Sequence, residues 1–153
     1  MKHIILIFMF MLVSPTAQAT TMTIDADKFE LFQTNQRAEF FGHVVVHRED
    51  MVLKADQMTV WYREVNKKNE LKYVKATGHV VIDTPENKGT SKEATYSAET
   101  EMLVMTGEAH MVSEQGELNG EQIEYNTATK DTRVLKDETE DKQVQFIFED
   151  GAK

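Results

Sequence analysis

The residues best suited to chemistry are four histidines and three acids that recur at matched spacings. His43 and His79 each follow a glycine directly, and His47 and His110 lie a few residues beyond such glycines. Asp27, Asp56 and Glu121 each stand two residues before an apolar pair: Phe29 and Leu31, Met58 and Val60, Ile123 and Tyr125. Imidazoles gathered on one face could hold a divalent metal, and paired carboxylates could divide the work of general acid and base. The setting favours neither. The chain has no Cys, and the histidines fall on the same face as other charged side chains. The acids sit where a strand must bend, which suits a short carboxylate bonded to backbone. No G-x-S-x-G elbow, phosphate loop or nucleophile beside a base follows residue 19. The expectation is a non-enzyme with no catalytic residue, no metal and no cofactor.

The elements that carry these residues follow from an internal periodicity. Gly42, Gly78 and Gly107 can be superposed, with Val60, Tyr96 and Tyr125 each 18 residues downstream. Leu31 to Gly42 and Tyr96 to Gly107 are both 11 residues, and Val60 to Gly78 is longer by 7. The unit is thus about 29 residues, with the extra length placed in a polar loop around Glu64–Glu70. Counted from each glycine, Ala38, Phe40, Val44 and Val46 alternate, as do Val74, Ala76, Val80 and Ile82, and Leu103, Met105, Ala109 and Met111. Period two is a strand with one buried face. The glycines share that inward column, where a missing side chain admits backbone or ligand.

On the intervening strands the apolar parity flips: Leu53 and Ala55 are followed by Met58 and Val60. A straight strand cannot keep one side apolar through an odd step. A bulge or bent corner is therefore predicted near Asp27, Asp56, Lys92 and Glu121. The fold class is all-β, a bent antiparallel sheet with one apolar inside. Trp61 and Tyr62 continue the Met58 and Val60 column and leave Trp61 partly exposed, as a packing residue.

The ends and totals set the setting. Met1-Lys2-His3, the apolar run Ile4–Val13 and Ala17-Gln18-Ala19 have the order of a cleaved secretory signal, and the run is too short to span a bilayer. The expected organisation is a signal at 1–19, one domain at 20–148 and a short tail at 149–153. Removing the signal takes away Lys2 and no acid, so the formal charge moves from −9 to −10. So acidic a chain is a poor partner for nucleic acid. Gln143–Glu149 alternates again, with Val144, Phe146 and Phe148 on one face, and reads as the last strand.

Thr23-Ile24-Asp25-Ala26-Asp27-Lys28, the three glycine-centred strands, Lys54-Ala55-Asp56-Gln57-Met58 and Leu118–Tyr125 together resemble the periplasmic lipopolysaccharide transport (LptA, OstA-like) family. The acidic run Asp137–Asp141 departs from the family pattern. The resemblance implies a β-jellyroll folded like a taco whose groove holds the acyl chains of lipopolysaccharide. It implies head-to-tail self-association into a bridge, with an LptC-like inner-membrane partner and an LptD-like outer-membrane partner. The inward columns would then line the groove with Phe29, Leu31, Phe40, Val44, Met58, Val60, Tyr96, Met105, Met111, Ile123 and Tyr125. The edges offered to partners would be Thr23, Ile24, Asp25 and Ala26 at one end, where the LptC-like protein binds, and Val144, Phe146 and Phe148 at the other, where the LptD-like protein binds. The same alternation would equally fill a dry core, which leaves a structural envelope scaffold as the second reading. A hydrolase or lectin built on a sandwich is disfavoured, because no catalytic constellation is present.

Overall fold

The computed structural model describes residues 21–148. The signal expected at 1–19 and the tail expected at 149–153 lie outside the described residues. Ten strands form one antiparallel sheet: β1 (Met22–Asp25), β2 (Lys28–Phe32), β3 (Arg37–Arg48), β4 (Met51–Val65), β5 (Lys68–Asp83), β6 (Asn87–Ser97), β7 (Met102–Ser113), β8 (Gly116–Asn126), β9 (Thr132–Leu135) and β10 (Gln145–Ile147). The spatial order is β1-β3-β4-β5-β6-β7-β8-β10, with β2 also on β3 and β9 also on β8. Strands β3 to β8 run through the full sheet. At each end two short strands share one long neighbour. No helix occurs among the described residues.

The sheet folds over a crease where five successive pairings change register. Between Phe41 and Val44, β3 sets Gly42 and His43 against Asp56 alone; β5 sets Gly78 and His79 against Asp56 on one side and Lys92 on the other. On β7 the pair is Gly107 and Glu108, against Lys92 and Glu121. Both residues of each pair take positive φ, 77° and 45° at Gly42 and His43 and 80° and 47° at Gly78 and His79. Two left-handed residues against one extended residue make a bulge that sharply increases twist. These bends coincide with the predicted positions and divide the sheet into a short wing, nearer the Glu49, Pro85 and Glu114 turns, and a long wing.

The glycines do not face the interior, which corrects the inward placement expected for them. A Cβ at Gly78 would meet the Cβ and Cγ of Asp56 at 2.8 Å, and one at Gly107 would meet Lys92 Cβ at 2.7 Å. Those side chains stand exposed on the convex ridge. The left-handed backbone turns the glycine outward, and only glycine fits there cheaply.

Two further differences concern local structure. The polar stretch around Glu64–Glu70 is not a loop: β4 and β5 extend through it to a two-residue turn at Asn66-Lys67, both with positive φ (51° and 61°). Two left-handed central residues make a turn whose twist matches the strands it joins. Arg63 and Glu70 pair across that hairpin at 3.3 Å. Strand β9 carries only Val134 toward the core, too little alternation to stand out in the sequence.

Candidate lipid-binding groove

The inward faces of the two wings meet in an apolar interior. Near the crease it is closely filled: Val44, Met58, Val80, Ala76, Met105 and Ile123 are almost wholly buried. Farther from the crease the wings part and leave a cavity of about 500 Å³. That is a volume typical of sites that bind an apolar ligand of a few tens of atoms. Its wall comes from both wings: Val46, Leu53, Ile82 and Met111 from the short one, Met58, Val60, Leu71, Val74, Tyr96, Leu103, Met105 and Tyr125 from the long one. Its rim is polar, with Arg48, Glu49, Asp50, Glu86, Glu101, Thr127 and Lys130. Lys130 Nζ and Glu86 Oε2 stand 4.0 Å apart, a pair joining the β8–β9 and β5–β6 turns of opposite wings. Both groups are largely exposed, so the pair adds little to stability, but it lies across the way in.

Of the residues expected to line a groove, Met58, Val60, Tyr96, Met105, Met111 and Tyr125 border this cavity. Val44 and Ile123 are sealed in the filled part, at 1% and 0% exposure. Phe29, Leu31 and Phe40 lie outside the cavity wall. They sit at the β2 end of the interior, where Phe29 and Leu31 are 55% and 49% exposed because β2 pairs with β3 and, among the described residues, with no other strand. Phe40 packs on the core, and its ring centroid is 5.2 Å from that of Phe29. Met22, Met51 and Leu71 also line the cavity. The parity of β5 conceals Leu71, because a register shift between Trp61 and Tyr62 follows it across the pair.

Among the described residues both edges of the sheet are open. Thr23, Ile24 and Asp25 lie in β1, paired to β3 on one side only, and Ala26 leads into the crease. At the far end β10 pairs with Glu117–Asn119, and Val144, Phe146, Ile147 and Phe148 are all exposed, at 44–63%. The last strand is thus shorter than the Gln143–Glu149 alternation suggests, and its apolar face is uncovered.

The histidines and acids lie on the convex side. His43 Nδ1 meets Asp27 Oδ2 and His79 Nδ1 meets Asp56 Oδ2, each at 2.7 Å. The bonded and charged Asp27 carboxylate holds the His43 imidazole above its usual value of 6.5, with a smaller contribution from Asp56. These carboxylates therefore serve histidine side chains across the ridge, not the backbone as expected. Glu121 alone follows the expected pattern, accepting from the backbone N–H of Glu108 at 3.4 Å. The positive φ of the bulge turns each imidazole toward the neighbouring acid, which spacing could not show. Among the described residues no cluster of three or more His, Cys, Asp or Glu could hold a metal.

A single antiparallel sheet creased into two wings around an apolar cavity defines a one-sheet, groove-forming β-fold. The sequence profile described as "LptA/(LptD N-terminal domain) LPS transport protein" matches residues 23–131. The chain belongs to that lipopolysaccharide transport family. The fold is also similar to the crystal structure of LptH from Pseudomonas aeruginosa, a β-jellyroll described as the LptA-homologous periplasmic component of the conserved lipopolysaccharide transport device. The TM-score is 0.74 at 18% identity, over 85% of this chain and 96% of that one. No curated protein sequence matches the chain.

Proposed function

We propose that the chain is a non-catalytic periplasmic bridge protein that carries lipopolysaccharide from the inner to the outer membrane by sheltering acyl chains between its wings. The cavity carries this reading. Exposing a CH₂ to water costs about 0.8 kcal/mol, so a twelve-carbon chain costs roughly 10 kcal/mol and several chains far more. Passage through an aqueous gap then requires an apolar lining such as Leu103, Met105 and Tyr125 supply. Methionines suit cargo of irregular shape, because the thioether side chain adapts its rotamer; Met22, Met51, Met58, Met105 and Met111 all face the cavity. The lipid-contact set is the cavity wall together with Phe29, Leu31 and Phe40, which would continue the apolar path to the β2 edge.

Residues 1–19 act as the export signal on this reading, which delivers the 20–148 domain to the periplasm. The open edges at β1–β2 and β10 take neighbouring sheets by strand addition. An LptC-like protein adds at the first edge and an LptD-like protein at the second, and copies of the chain join head to tail. The test is equilibrium binding of purified lipopolysaccharide to the full chain and to Leu103→Glu, which places a charge in the cavity wall. Saturable binding lost in Leu103→Glu supports carriage. A folded chain that takes up no lipopolysaccharide is the dry scaffold instead.

A further inference from the structure

The outer face of the long wing carries an aromatic hollow that the groove does not use. Trp61 on β4 and Tyr73 on β5 are directly opposed, with ring centroids 5.5 Å apart and planes at 57°. Ser97 on β6 lies directly opposite Tyr73. Lys72 is looped out of the β4–β5 pairing, because Trp61 pairs with Tyr73 while Tyr62 pairs with Leu71. These four residues and Glu99 line a surface hollow of about 290 Å³. The Ala98 backbone N–H donates to the Lys72 carbonyl at 3.1 Å and ties the hollow to the β6–β7 turn. From that same turn Glu99 faces the hollow while Glu101 lies on the rim of the groove. The two sites share one wall.

We propose that this hollow binds a pyranose ring of the oligosaccharide that extends beyond the acylated disaccharide of the cargo whose acyl chains occupy the groove. A pyranose face of C–H bonds suits the electron-rich face of an aromatic ring. Two angled rings with an ammonium, a hydroxyl and a carboxylate at their margin offer stacking, donors and acceptors together, the mixture by which a concave site orients a polar ligand. Trp61 and Tyr73 are only half-buried, so their rings remain available for such a contact. The proposal rests on the carrier reading for the source of the sugar, and its test separates the two. Glu101 of the β6–β7 turn borders the groove and Glu99 of the same turn borders the hollow, so a head group held at that part of the rim lies next to the hollow.

Trp61 is the only tryptophan in the chain, so its emission reports on the hollow directly. The full chain is titrated with two probes, acyl-free oligosaccharide released from lipopolysaccharide by mild acid, and lipid A without oligosaccharide. The oligosaccharide shifts Trp61 emission saturably, and Tyr73→Leu weakens that binding about tenfold while lipid A binding stays within about twofold. Lys72→Ala, at a looped-out exposed position, weakens oligosaccharide binding without risk to the fold. Lipid A binding with no response to oligosaccharide overturns the hollow and leaves the carrier reading standing. Oligosaccharide binding without lipid A binding does the reverse. If Tyr73→Leu unfolds, undiminished affinity in Lys72→Ala overturns the proposal.

Discussion

Gly78 and Gly89 offer a paired test of how the crease makes the groove. Gly78 sits in the bulge at φ 80°, and an added Cβ would meet the Cβ and Cγ of Asp56 at 2.8 Å, carbons close to a backbone fixed by pairing on both sides. A left-handed conformation costs a non-glycine residue about 1–2 kcal/mol, and crowding of this kind costs about 1 kcal/mol more. Gly78→Ala is therefore expected to lose about 2–3 kcal/mol, or roughly 10 °C in melting temperature for a domain of this size. Gly89 has no positive φ, and its added Cβ would crowd the Sδ and Cε of Met105, at 2.9 and 2.8 Å, while the His110 carbonyl oxygen stands at an ordinary 3.7 Å. The flexible end of Met105 borders the cavity and can turn into it. Gly89→Ala should move the melting temperature by less than about 3 °C and narrow the groove. Thermal unfolding followed by circular dichroism measures both. Equal losses in the two variants, or a Gly78→Ala chain as stable as its parent, would refute the reasoning from backbone conformation.

Three further outcomes follow. The folded-state value of His43 is raised above 6.5 by Asp27, so the stabilisation from this pair is complete below the unfolded value and is lost as pH rises through the folded one. Melting temperature should fall slightly from about pH 6 to pH 8, and Asp27→Asn should flatten that slope. Glu86→Lys sets two cations across the groove mouth in place of the 4.0 Å pair. Stability should change by less than about 0.5 kcal/mol because the groups are exposed, while release of bound lipopolysaccharide, followed by stopped flow, should quicken in a salt-dependent way. Deleting Met22–Leu31 removes the β1 edge and most of β2, and should abolish capture by the LptC-like partner proposed for that edge in a pull-down; undiminished capture would overturn that assignment.

Much of the architecture was legible because its cause is local. Alternation through Val44 and Val46, Val80 and Ile82, and Ala109 and Met111 reports a one-sided strand, and all six are buried. The odd step from Ala55 to Met58 reports a bend, and the register shift lies there. What escaped depends on backbone conformation or on distant pairing. Positive φ at Gly42 and His43 turns the glycine outward and brings His43 to Asp27. The left-handed Asn66-Lys67 turn keeps a charged stretch in strands. Alternation also cannot separate filled core from open cavity. Val44 and Val46 are two residues apart on one face, yet only Val46 borders the groove, while the longer side chains of Met58 and Met105 reach it from beside the crease, so distance from the crease and side-chain length together decide it.

Photo-crosslinking along β7 shows whether lipid enters the interior between the wings. A photoreactive residue is placed in turn at Leu103, Val104, Met105 and Thr106, and each purified chain is irradiated with lipopolysaccharide. Strong adducts at Leu103 and Met105 with little at Val104 and Thr106 are the predicted result, since only the first two face the cavity. Adducts of equal strength at all four positions, or confined to Val104 and Thr106, would contradict an interior that holds lipid.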